Sequence, residues 1–157
     1  MEKPAGRARS CMTGKIFLDT NIIVYAHDRS SGEKNRIAED ILLYLWESKR
    51  GILSTQVMQE FYVIITRKIP SPLPIMDAKK ILEYFMTWQV VINDTHTVLQ
   101  AIDIQKKHGF SFWDSLILQS SIQGNADILF SEDMSDGLAI ENLKIINPFL
   151  RDWKKVV

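Results

Sequence analysis

Short apolar runs of strand length alternate along this chain with longer stretches whose apolar residues recur at helical spacing. That rhythm restricts it to an α/β fold built on a parallel sheet. Residues 15–18, 52–55, 90–93, 127–131 and 144–147 read as about five strands. Helices are expected over 32–49, 56–68, 75–87, 95–107 and 111–122; in the first, Ile37, Ile41, Leu42, Leu45 and Trp46 fall on one stripe. Gly51 reads as the end of that helix, Gly109 as the C-terminal turn of the helix before it, and Pro148 as the close of the last strand. The segment Ile-Pro-Ser-Pro-Leu-Pro at 69–74 cannot continue a helix and is the one linker-like stretch. With 157 residues, 46% apolar and 24% charged, the chain fits one domain of 15–150 between tails of 1–14 and 151–157.

Composition removes several classes of function. Formal net charge is zero, so no global positive field draws in nucleic acid or anionic membrane, and any phosphate contact has to be local. Cys11 is the only cysteine and lies in the N-terminal tail, where no internal disulfide can form, which suits a reducing cytoplasm. Apolar runs such as Phe61–Ile65 fall far short of the roughly 18 residues of a membrane span. Residues 1–14 do not reach the pattern of a signal peptide, and Met12 is an alternative initiator.

Three of the strand-like runs lead into segments that carry an acid: Asp19 after the first, Glu60 in the helix after the second, and Asp133 after the fourth. A fourth acid, Asp114, opens the helix at 111–122. Acids so far apart in sequence form no local motif, but they meet where strand ends converge, the edge at which open α/β sheets bind ligands. Two carboxylates about 4 Å apart repel by roughly 4 kcal/mol at an effective dielectric near 20, so such a cluster implies a cation. Oxygen donors without cysteine or histidine favour Mg²⁺ or Mn²⁺, which support hydrolytic phosphate chemistry by acidifying a water and stabilising a leaving oxygen.

Each acid also has a plainer account. Asp19 precedes Thr20 and Asn21, which are ordinary turn formers. A lone glutamate such as Glu60 is usually solvated, yet Met58, Phe61, Tyr62, Val63, Ile64 and Ile65 leave its helix little solvent-facing arc, and a buried acid needs a partner. Ser111 and Asp114 match a helix capping box. Asp133 stands in a turn with Glu132 and Asp136, and Asp136 stays open as the fourth ligand. There is no nucleophile elbow and no phosphate-binding glycine loop, and His27, His96 and His108 lack zinc spacing and read mostly as surface residues. The basic pairs at 49–50, 67–68 and 106–107 fall at helix C-termini and complement helix dipoles.

The segments LDTNIIVYA, LSTQVMQEFYVI, FSFWDSLILQSS, LFSEDMSDG and IINPF together resemble the PIN-domain nucleases, specifically the VapC-like toxins of toxin–antitoxin pairs, over residues 15–150. The resemblance implies a PIN-like α/β domain that cleaves RNA with Mg²⁺, or Mn²⁺, held by Asp19, Glu60, Asp114 and Asp133. Asn21 and Ser131 would support the ligands by hydrogen bonds. It further implies a homodimer, a cognate antitoxin and a cytoplasmic location. Base stacking on Tyr25, Phe112 or Trp113 is one way to hold RNA, although burial is the ordinary fate of such rings. The main rival is an inactive PIN-like module that binds RNA or protein. A phospho-accepting receiver expects adjacent acids after the first strand, and a haloacid-dehalogenase-like phosphatase expects an aspartate where Asn21 stands.

Overall fold

The computed structural model describes residues 14–157. The expected N-terminal tail, with Cys11 and Met12, lies almost wholly outside the described residues. In chain order the elements are β1 (Lys15–Leu18), α1 (Thr20–His27), α2 (Glu33–Ser48), β2 (Gly51–Ser54), α3 (Thr55–Arg67), α4 (Ile75–Phe85), β3 (Gln89–Val91), α5 (Thr95–His108), α6 (Phe112–Gln123), β4 (Ala126–Phe130), β5 (Ala139–Ile140) and β6 (Leu143–Ile146). The helices and strands expected from periodicity appear within a few residues of their places. Two elements were not foreseen: α1, where only a turn was read after Asp19, and the two-residue strand β5.

The sheet runs β3-β2-β1-β4-β6-β5. Every neighbouring pair is parallel except β5 with β6. Strands β1 and β2 read as nearly unbroken apolar runs because both faces of a parallel sheet are covered. The chain first steps outward from β1 to β2 to β3, then returns past β1 to β4, and right-handed crossovers in opposite directions place helices on both faces. Helix α1 packs on α2 and α3, α3 on α4, and α5 on α6. Phe17, Phe61, Phe85 and Phe130 anchor the core between these layers.

Local chemistry explains the boundaries. Asp94 and Thr97 form a reciprocal capping box at the start of α5, and Gly109 ends that helix at φ 76°, a left-handed conformation that favours glycine. The stop of α2 is Lys49, itself left-handed at φ 57°, rather than Gly51. Gly51 opens β2, and its missing side chain matters because a Cβ there would meet the Trp88 ring at 2.3 Å. Residues 151–157 also differ from the expected tail. Trp153 is buried, with its ring edge-on to Tyr44 and Phe130, so the C-terminal turn closes one side of the core.

The reversal of strand order falls between β1 and β4. Asp19 follows the end of β1 and residues 131–133 follow the end of β4, so the two segments share the carboxyl edge of the sheet at its switch point. Helix α3 starts from the same edge of β2. Helix α6 leads directly into the start of β4 on the far side, which brings its own N-terminal turn and Asp114 back to the carboxyl edge.

Candidate active site

Asp19 is the innermost acid, with 7% of its surface exposed. Its own amide donates to Phe130 O at 3.0 Å, which ties the end of β1 to β4. As N-cap of α1, its Oδ1 accepts from the Thr20 amide at 2.7 Å, and Oδ2 accepts from Ser131 Oγ at 2.8 Å. Burial pushes its pKa up to about 6; the two hydrogen bonds oppose the shift, and the charges of Asp133 and Glu60 add to it.

Glu60, one turn and a half into α3, is half-buried and has the partners such an acid requires. Thr20 Oγ1 donates to Oε2 at 2.5 Å and Gln56 Nε2 donates to Oε1 at 2.9 Å. The same Gln56 amide reaches Trp113 O at 3.4 Å, so it spans from α3 to the first turn of α6. Neither Thr20 nor Gln56 was among the sequence candidates. Gln56 was legible, since it stands four residues before Glu60 on a helix and such pairs face one another; the Thr20 bond crosses 40 residues and carries no sequence signal.

Asp114 lies in the first turn of α6 and its amide donates to Ser111 Oγ at 3.1 Å, so Ser111 caps the helix, but the return bond from the Asp114 side chain that would complete the expected capping box does not form. Asp133 accepts from Asn21 Nδ2 at 2.8 Å. Its pKa is raised by partial burial first, then by the negative charges of Glu132 and Asp114, with Lys34 acting against them. Asp19 therefore feels Glu60 and Asp133, and Asp133 feels Asp114, so the four candidate acids are linked pairwise through their charges. Asn21 and Ser131 each bond one of them. Asp136 is engaged elsewhere, accepting from the Asn147 amide at 2.8 Å and pairing with Arg151.

The donor set suits a hard divalent cation in kind, being all carboxylate oxygen, and among the described residues no cation acts on the buried Asp19. Among the described residues, however, no three of His, Cys, Asp and Glu converge closely enough to hold one ion. Glu60 and Asp133 are instead engaged within the protein, Glu60 by Thr20 and Gln56 and Asp133 by Asn21.

Trp113 departs from the burial expected of it, with 62% of its surface exposed beside Asp114 and its ring edge-on to Phe112 at a centroid distance of 5.2 Å. Tyr25 is half-buried and edge-on to Phe149. His27 is the histidine that does not lie at the surface; burial lowers its pKa, and it packs edge-on to Phe61 with Nδ1 at 2.8 Å from Ile23 O.

Known proteins give the same fold. The structure resembles VapC20 of Mycobacterium tuberculosis, described as a sarcin-ricin loop cleaving toxin, at 18% identity and a TM-score of 0.60, over 76% of this chain and 90% of that one. It also resembles a chain of a toxin–antitoxin complex from Klebsiella pneumoniae at 16% identity and TM-score 0.59, over 82% and 95% of the two chains. A third likeness is to VapBC2 of Rickettsia felis bound to a DNA fragment from its promoter, at 18% identity and TM-score 0.58, over 83% and 96%. No curated protein sequence matches the chain. The PIN domain model matches residues 16–135, from the first strand through Asp133, and the chain belongs to the PIN domain family.

Proposed function

We propose that this protein is a metal-dependent endoribonuclease of the VapC-like toxin kind, hydrolysing RNA phosphodiester bonds at the acidic edge of its sheet. The observation that supports the reading is the buried Asp19 carboxyl, whose pKa is raised to about 6 by burial with the charges of Asp133 and Glu60 adding to it, while Asp114 acts on Asp133. A buried carboxylate that also feels two other acids is a costly arrangement that a cation relieves.

Asp19, Glu60 and Asp114 would hold Mg²⁺ or Mn²⁺, with Asp133 completing or tuning the set. Once bound there, such a cation neutralises phosphate charge and makes a water more acidic. The chain's own part is to orient. Ser131 and the Thr20 amide fix Asp19, whereas Glu60 and Asp133 would have to give up their bonds from the Thr20 hydroxyl and Asn21 to hold a cation. A homodimer, a cognate antitoxin as partner and a cytoplasmic location belong to the same reading; no described helix is long and apolar enough to cross a membrane. The scatter of the carboxylates favours one rival, a PIN-like module that binds RNA or protein without cutting.

Incubation of antitoxin-free protein with total RNA in Mg²⁺, in Mn²⁺ and in EDTA, beside Asp114→Asn, separates the two. Discrete fragments that require both the metal and Asp114 establish the nuclease. Intact RNA in every lane, with RNA retained on the protein, establishes the binding module.

A further inference from the structure

Three consecutive residues after β4 are each tied to the segment that follows β1. Ser131 donates to Asp19, and Asp133 accepts from Asn21. Between them Glu132 accepts from Tyr25 Oη at 2.6 Å through Oε2 and pairs with Lys34 of α2 through Oε1. Both carboxylate oxygens of Glu132 are thus occupied, one by a hydroxyl and one by an ammonium. The clamp is itself braced: Lys34 Nζ lies 5.0 Å from the Tyr25 ring centre and 5.6 Å from that of Phe149, and Asn35 Nδ2 donates to Tyr25 O at 2.8 Å.

The arrangement sorts two adjacent acids. Glu132 and Asp133 are neighbours in a loop next to Asp19, and either carboxylate has the chemistry of a ligand. We propose that Tyr25 and Lys34 are positioning residues that withhold Glu132 from the acidic site and, by pinning the loop between Ser131 and Asp133, present Asp133 to the cation. This rests on the proposed metal site and adds to it residues that touch neither substrate nor ion. Loss of such a clamp acts on metal affinity, where outer partners of ligands typically contribute about 10–100-fold, rather than on the chemical step.

The test is direct Mn²⁺ binding, followed by electron paramagnetic resonance of free Mn²⁺, for wild type, Tyr25→Phe, Lys34→Met, Glu132→Ala and Asp133→Asn, each checked for native melting. The expected result is Mn²⁺ binding weakened by about tenfold in Tyr25→Phe, Lys34→Met and Glu132→Ala, with RNA cleavage recovering at saturating Mn²⁺. Folded Tyr25→Phe and Glu132→Ala proteins that bind Mn²⁺ as tightly as wild type, while Asp133→Asn does not, overturn the clamp and leave the metal site standing. A wild type that binds no Mn²⁺ overturns both.

Discussion

Asp19 and Ser131 are 112 residues apart in the chain and share a hydrogen bond of 2.8 Å across the switch point of the sheet. That bond joins the end of β1 to the end of β4 and, with the bond from the Thr20 amide, supports the most deeply buried acid among the described residues. Burial still prevails over both, which has consequences for stability.

The folded protein holds the Asp19 proton up to about pH 6, whereas an unfolded chain releases it near 3.8. Folding therefore takes up a proton between those values. The stabilisation is complete below 3.8 and is lost as pH rises through about 6, leaving a cost on the order of 3 kcal/mol at neutral pH. Asp19→Asn is expected to melt higher than wild type at about pH 7.5, with the difference shrinking towards about pH 4. Calorimetry across that range checks it, and parallel melting curves for the two proteins would refute the assignment.

Metal should act on the same term with the opposite pH dependence, because a cation binds the ionised carboxyl. At a free Mn²⁺ concentration 100 times its Kd, the folded state gains about 2.7 kcal/mol. A rise in Tm with added Mn²⁺ that is large at neutral pH, fades on acidification and is absent in Asp19→Asn is the expected pattern.

Trp113 is exposed, so Trp113→Ala is expected to change stability by no more than about 0.5 kcal/mol. If its ring stacks on a base of the substrate, RNA affinity falls by about 1–3 kcal/mol in the same variant. Fluorescence anisotropy with a single-stranded RNA, measured in EDTA to prevent cleavage, compares the two proteins; equal affinities would remove Trp113 from the RNA surface.

Trp153 and Gly51 test the packing. Trp153→Ala removes a buried ring that touches Tyr44 and Phe130 and should cost about 3–5 kcal/mol in urea unfolding. Gly51→Ala drives a methyl group into the Trp88 ring and should cost about 1–3 kcal/mol, unless Trp88 is shortened alongside it.

The order of strands and helices was legible in the sequence because periodicity is a local property: a half-buried helix repeats near 3.6 residues, and a strand covered on both faces is continuously apolar. The candidate acids Asp19, Glu60 and Asp133 could be picked out as well, since each stands in the turn or early helix following an apolar run, and Asp114 because it opens a helix; Asn21 and Ser131 were named only through the family resemblance. Helix α1 was hidden because Thr20 to His27 is apolar nearly all round, which reads as a strand extension or turn rather than an amphipathic helix. The exposure of Trp113, the burial of Trp153 and the engagement of Asp136 with Arg151 were equally invisible, because each depends on what the fold places opposite. The sequence by itself determined which residue types were available at the carboxyl edge of the sheet. Only the tertiary structure decided which of them meet, since hydrogen bonds such as Thr20 to Glu60 and Tyr25 to Glu132 join groups 40 and 107 residues apart and leave no trace in local pattern.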